Sequence, residues 1–190
     1  MASVKVLVEG YAREVDGGWI ASSTVTLVKS NGKNIVVDPG CNREKLLAAL
    51  AGEGLSVSDI DFVILTHGHT DHTLLAGIFE NAKAINNYEI YDGDRQVDHD
   101  GVVPGTELKI LETPGHTPDH CSVQVPTPEG TCIVAGDVFW WMDGEEQSLD
   151  LDRVDPAHAS DVAALTESRK KVLELADFII PGHGKIVKVK

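Results

Sequence analysis

Thr66-His67-Gly68-His69-Thr70-Asp71-His72 is the stretch on which the reading of this chain turns. Three histidines and one aspartate fall within six residues, directly after the apolar run Asp61 to Leu65 and at the start of a helical apolar pattern, His72 to Phe79. Neutral imidazole nitrogens and carboxylates bind zinc at similar distances, about 2.0–2.2 Å. His67 and His69 share a face in an extended stretch, and Gly68 between them lets the backbone bend sharply. Asp71 and His72 then fall on the first turn of a helix and point elsewhere, so one short segment can feed two neighbouring metal ions. The alternative, four polar residues of a solvated loop, leaves the spacing unexplained.

Working outward, three more segments share one design: an apolar strand, a turn, then a candidate ligand. Leu108 to Leu111 leads to Pro114-Gly115-His116, Ile133 to Ala135 leads to Gly136-Asp137, and Phe178 to Ile180 leads to Pro181-Gly182-His183-Gly184. A lone histidine after a turn is usually just exposed, but together these supply ligand types at strand ends, where α/β proteins place their sites. His67, His69, Asp71, His72, His116, Asp137 and His183 make seven candidate ligands. Seven exceeds what one tetrahedral ion uses and suits two ions with a bridging carboxylate.

The rest of the chain reads as sheets covered by helices. Val4 to Val8, Thr24 to Val28 and Ile35 to Val37 are strand patterns, and Arg43 to Ala51 is a helix ended by Gly52 and Gly54. Ser122 to Val125 and Cys132 to Ala135 read as a hairpin, and Asp161 to Ala176 as the best helix. Strands, a helix, more strands and a helix fit an α/β (α+β) sandwich better than a strictly alternating parallel fold. At 190 residues, the expectation is a single domain over 1–190.

Composition narrows the function. The net charge of −14 argues against a wide phosphate-binding surface. Arg13, Arg43, Lys45 and Arg153 are the candidate members of a local basic patch. No apolar run approaches the ~18–20 residues that span a bilayer. Lys5 and Glu9 interrupt any leader-like core, so the expected setting is the cytoplasm, without membrane contact. Cys41, Cys121 and Cys132 form no disulfide framework and no Cys-x-x-Cys motif, and read as reduced, inert thiols.

In order and spacing, T-H-x-H-x-D-H, P-G-H-T, G-D and P-G-H-G resemble the motifs of the metallo-β-lactamase superfamily. The resemblance implies a four-layer αβ/βα sandwich, two mixed sheets flanked by helices, with the site on one edge. Matched motif by motif, it implies one metal held by His67, His69 and His116, a second held by Asp71, His72 and His183, and Asp137 between them. Asp38, in Val36-Val37-Asp38-Pro39-Gly40, is similar to the family aspartate that orients a metal-bound histidine, although Pro39 replaces the usual Thr. Glu9-Gly10-Tyr11-Ala12, Gly18-Trp19, Thr24-Val25-Thr26-Leu27, Gly136-Asp137-Val138-Phe139 and Ser168-Arg169-Lys170 look like the metallo-β-lactamase domain-containing protein 1 group, which implies RNA cleavage as one activity.

The expected chemistry is hydrolysis of an ester, thioester, lactone or phosphodiester by a hydroxide bridging two divalent metals, with Asp71 orienting it and accepting its proton. Zinc is the first expectation, and iron or manganese suit the same ligands. The alternatives are an endoribonuclease acting on single-stranded RNA and a persulfide dioxygenase with a single iron held by two His and one Asp. Lactamases of the best-known class carry Cys where this chain has Asp137. Trp19, His120 and Trp140 are candidates for the substrate rim, His120 otherwise touching a water behind the metal ligands or being a plain exposed loop residue. His99 and His158 read as surface residues, and Phe139-Trp140-Trp141-Met142 as pocket wall, core or a homodimer contact.

Overall fold

Ile35, Val36 and Val37 are all fully buried, although successive side chains of a strand point to opposite faces. A strand can do this only if its sheet is covered on both sides, and the computed structural model, which describes residues 1–151 and 156–190, shows how. The first half of the chain runs through β1 (Ser3–Val8), β2 (Tyr11–Val15), β3 (Gly18–Ser22), β4 (Val25–Ser30), β5 (Lys33–Val37), helix α1 (Arg43–Gly52), β6 (Phe62–Ile64), helix α2 (Thr70–Thr73), β7 (Lys83–Ile85), β8 (Glu89–Asp92) and β9 (Arg95–Asp98). The second half runs through β10 (Lys109–Glu112), β11 (Cys121–Thr127), β12 (Gly130–Trp140), helix α3 (Val162–Leu175), β13 (Phe178–His183) and β14 (Val187–Lys188).

The strands form a seven-stranded sheet, β1-β4-β5-β6-β7-β8-β9, a five-stranded sheet, β10-β11-β12-β13-β14, and the separate hairpin β2-β3. Both large sheets are mixed: β5, β6 and β7 are parallel neighbours, as are β12 and β13. Three apolar layers hold them together. Ile35, Val37 and Ile64 pack against Val123, Val134 and Ile180 between the sheets. Val36 and Val63 face Leu46 and Leu50 of α1. Ile133 and Ile179 face Leu165 and Val172 of α3. The order helix, sheet, sheet, helix is the expected four-layer sandwich. No helix among the described residues is long and apolar enough to cross a membrane.

Two expectations need correction. The helix read over His72 to Phe79 is only the short α2, followed by a separate 3₁₀ turn at Ala76–Ile78. The His72 carbonyl accepts a bond from Gly40 N, and Leu75 N donates to the Gly40 carbonyl, so tertiary bonds replace the helical ladder. Likewise, Asp137 and His183 do not follow turns: β12 and β13 run on through both residues, with register shifts around Gly136. The strands β2, β3, β7, β8 and β9 carry no strong apolar alternation; their burial patterns are mostly exposed or half-buried.

Candidate metal centre

Strand register builds the site. In the large sheet Val37 pairs with Ile64 across parallel strands, so the residues after each, Asp38 and Thr66-His67, emerge side by side. In the smaller sheet Gly136 pairs with Pro181 and Trp140 with His183, which sets Asp137 beside Gly182 and His183. A backbone bond from Cys121 N to the Thr66 carbonyl (2.8 Å) ties the two sheets together at this edge. Helix α3 braces the loop before His116 and the end of β12: Ser168 Oγ donates to the Pro114 carbonyl (2.7 Å) and Arg169 Nε to the Val138 carbonyl (2.9 Å).

All seven candidate ligands converge in two groups. His67, His69, His116 and Asp137 form one, and Asp71, His72 and His183 the other. In the first, His69 Nδ1 lies 2.9 Å from His67 Nε2 and 3.0 Å from His116 Nε2, and Asp137 Oδ2 lies 3.3 Å from His116 Nε2. In the second, His183 Nε2 lies 3.3 Å from Asp71 Oδ2, and His72 Nε2 lies 3.9 Å from it. Asp137 joins the groups, because its other oxygen, Oδ1, lies 3.3 Å from His72 Nε2 and 3.8 Å from His183 Nε2.

The donor set fits metal ions. His72 Nε2 and Asp137 Oδ1 are buried without a hydrogen-bond partner, and buried polar atoms are almost always paired. Bonds of about 2.0–2.1 Å around a tetrahedral ion put its ligands about 3.3 Å apart, close to the spacings above. The outward ring nitrogens are held as metal-binding histidines require. His72 Nδ1 donates to Asp38 Oδ2 (2.8 Å), His116 Nδ1 to the His158 carbonyl (2.8 Å), and His183 Nδ1 to the Tyr11 carbonyl (3.1 Å). His67 Nδ1 donates to Thr66 Oγ1 (3.0 Å), which itself donates to Asp38 Oδ2 (2.8 Å). These bonds fix the tautomers and aim the Nε2 lone pairs of all four rings inward.

Asp38 therefore serves both groups, directly through His72 and through Thr66 to His67. Its Oδ1 also accepts from Thr66 N (2.9 Å), and its backbone adopts φ 50°, an uncommon conformation for a residue with a side chain. The electrostatics favour positive charge around His72 and His183, whereas burial holds His67 and His116 below the ordinary imidazole value. Burial alone would lower the His72 pKa, yet Asp137 and Asp38 hold it well above the usual value. Burial alone would raise Asp137, yet the charges of His72 and His183 hold it well below the carboxylate range. A cation can take the place of the proton that this field favours. Asp71 is likewise held below its ordinary value, with burial opposed by the His183 hydrogen bond and the His72 charge.

A cleft of about 360 Å³ opens onto His69, Asp71, Asp137 and His183. Trp19, 46 % exposed on β3, and Trp140 at the end of β12 wall it. Phe139 and Trp141, on either side of Trp140, point the other way into the core beneath α3. Two histidines change places. His120 is neither a rim nor an exposed loop residue: it is fully buried behind the site, and burial pushes its pKa down to about 3. His158 lines the cleft, its ring edge-on to Trp140 (5.1 Å) and Trp19 (5.8 Å). It stands 42 residues from the histidine that its carbonyl holds, so no local pattern announces it. Of the basic candidates, Arg13 pairs with Asp143 (3.3 Å), Lys45 lies over the Tyr11 ring, and Arg153 lies outside the described residues.

The cysteines stay apart from the donor groups. Cys132 packs between the sheets, where burial pushes its thiol up to about 12, and Cys121 is fully buried and shifted upward as well. Cys41 is half-buried, with its thiol on the Ala21 carbonyl (3.1 Å). A thiol reagent should therefore modify at most Cys41 in the native protein, and all three cysteines after denaturation. Cys121→Ser and Cys132→Ser should bind as much divalent metal as the parent chain, and loss of a metal equivalent in either would contradict this assignment.

The comparisons with known proteins agree with this geometry. The model of the metallo-beta-lactamase superfamily matches residues 19–104 and 86–183. The chain is 37% identical to metallo-beta-lactamase domain-containing protein 1 of Xenopus laevis, over 98% of this chain and 82% of that protein. Among solved structures it is similar to a metallo-β-lactamase-type protein of Thermotoga maritima (21% identity, TM-score 0.74, 98% of this chain and 99% of that one). It is also similar to AidC, a dizinc quorum-quenching lactonase (18% identity, TM-score 0.63, 87% of this chain and 74% of that one). Motifs, fold and donor geometry converge: the chain belongs to the metallo-β-lactamase superfamily.

Proposed function

We propose that the chain is a cytoplasmic metal-dependent hydrolase that uses two divalent cations, zinc foremost, to cleave a small ester, thioester or lactone. The observation that carries this reading is Asp137, whose two oxygens face two separate donor groups. His67, His69 and His116 would hold one cation and Asp71, His72 and His183 the other, with Asp137 common to both. Such a pair supplies an activated water at neutral pH and polarises the scissile bond.

The protein's own groups do the remainder. Asp71, partly open to the cleft and held ionised by His183, would orient the attacking water and take up its proton. Trp19, Trp140 and Ala21 give the cleft apolar walls, against which the non-reacting part of the substrate packs and displaces water. The described residues lining the cleft include no lysine or arginine. That supports an uncharged ester-like group over single-stranded RNA, as does the net charge of −14. The likeness to a dizinc lactonase supports both the metal count and the substrate class. The convergence of all seven donors favours this reading over a single iron held by two His and one Asp.

The test is metal analysis of protein purified without added metal, joined to a turnover screen over esters, lactones, thioesters and RNA. The expected result is two equivalents of divalent metal per chain, turnover of a small carbonyl substrate, and its loss on chelation. One iron per chain with oxygen consumption would overturn the hydrolase. RNA turnover alone, with binding that falls as salt rises on a log–log slope steeper than about −5, would overturn the small-substrate assignment.

A further inference from the structure

His120 is fully buried, belongs to neither donor group, and still touches both the backbone and the rings that build them. Its Nε2 accepts the backbone N–H of Asp137 (3.0 Å). An acceptor nitrogen carries no proton, so the ring is neutral with its hydrogen on Nδ1. Nδ1 then donates to Thr113 Oγ1 (3.0 Å), whose hydroxyl is left to donate to Ser122 Oγ (2.9 Å). Ser122 Oγ in turn donates to the Ala135 carbonyl (3.1 Å). Both ends of this chain are backbone groups of fixed polarity, so every link has one direction. Thr113 and Ser122 are fully buried as well, and no member can turn to solvent for a substitute partner.

The two ends, Ala135 C=O and Asp137 N–H, flank Gly136, where the pairing of β12 with β13 shifts register. A bulge takes backbone groups out of the ladder and re-aims the side chain beside them. Gly136 has φ 53°, and a Cβ there would lie 2.7 Å from both His120 Nε2 and Thr66 Oγ1, so the ring is packed directly onto the bulge. On its other side the His120 ring stacks on His67 at 5.0 Å, with 29° between the planes. One ring thus fixes the backbone of the carboxylate common to both groups and backs a histidine of the first.

We propose that His120 is a positioning residue for the metal centre, setting where the Asp137 carboxylate stands between the two donor groups through the His120–Thr113–Ser122 chain that spans the Gly136 bulge. This rests on the proposed reading of Asp137 as a shared ligand. It takes His120 out of substrate contact, so the inference is about metal binding and needs no substrate to be known.

The test compares His120→Leu, His120→Gln and Thr113→Val with the parent chain. Zn²⁺ affinity is read by chelator competition on folded protein, the absorption spectrum after Co²⁺ substitution is recorded, and apo-form melting is measured alongside. Leucine removes the acceptor, and the expected result is Zn²⁺ binding about 10- to 100-fold weaker with an altered Co²⁺ spectrum. Glutamine places an amide near Nε2 and should recover most of the loss. Thr113→Val leaves the ring but not its anchor and should show a smaller loss of the same kind. A lower apo melting temperature with parental Zn²⁺ affinity and Co²⁺ spectrum would mean a purely structural role and would overturn the proposal. If His120→Leu does not fold, Thr113→Val decides, and parental affinity there overturns it. A parent chain that takes up no Zn²⁺ would instead remove the proposed function and this inference together.

Discussion

Asp71→Asn should lower turnover about 10²- to 10⁴-fold, the range that a positioned proton acceptor contributes, while fold and metal content stay near those of the parent. Asp71 sits on the first turn of α2, with its carboxylate directed at His183 and partly open to the cleft. The amide keeps the size and can still present an oxygen to a cation. It loses the negative charge that the His183 and His72 contacts stabilise, and with it the capacity to take a proton from the attacking water. The structural cost should be small, because the helix is anchored through backbone bonds, among them Ser23 N to the Asp71 carbonyl (3.0 Å). The measurement is steady-state turnover of whichever ester, thioester or lactone the parent hydrolyses, with metal content and melting temperature determined on the same sample. Near-parental turnover at full metal content would remove Asp71 from the proton-accepting role and leave it as a ligand only.

Gly182→Ala should also have a large effect, this time on metal binding and at a residue that carries no chemistry. A Cβ at Gly182 would overlap Asp137 Oδ1, which with His72 Nε2 is buried in the centre without a hydrogen-bond partner. Neither side can yield easily. The Gly182 carbonyl is held by Thr24 N (2.6 Å) and the strand by its pairing with β12, while the Asp137 backbone is held by His120. The methyl must displace the shared carboxylate, and Zn²⁺ affinity should fall about 100-fold or more, at the upper end of what disturbed ligand support costs. Gly68→Ala is the matching control. Gly68 lies between two candidate ligands, yet its φ is not positive and a Cβ there meets nothing within 4 Å. The sharp bend expected of Gly68 from the motif is therefore not what the structure uses it for, and alanine should leave Zn²⁺ binding near parental. Equal affinities for Gly182→Ala and the parent would mean that Asp137 can move away from both donor groups without loss, contrary to its shared role.

These two glycines mark the line between what is written locally and what is not. The sequence by itself determined the candidate donors, because imidazole and carboxylate at H-x-H-x-D-H spacing leave few other uses, and apolar runs such as Ile35 to Val37 and Ile133 to Ala135 imply sheets covered on both faces. Asp38 was marked by the resemblance of Val36-Val37-Asp38-Pro39-Gly40 to a family element, since the residues alone read also as a turn-forming aspartate before proline. The spacing of the donors does not by itself divide them into two groups: the family resemblance implied the division, and the tertiary structure brings it about. That depends on which strand ends lie side by side, and the parallel registers Val37–Ile64 and Trp140–His183 are set by packing between sheets, not by neighbours in the chain. The same cause moved His120 from the rim to a buried hydrogen-bond chain and brought His158 into the cleft. A lone histidine has the same local appearance whether it faces water, substrate or a backbone N–H. What distinguishes the three is the bulge at Gly136 and the loop across the cleft, partners distant in sequence that exist only once the sheets have packed.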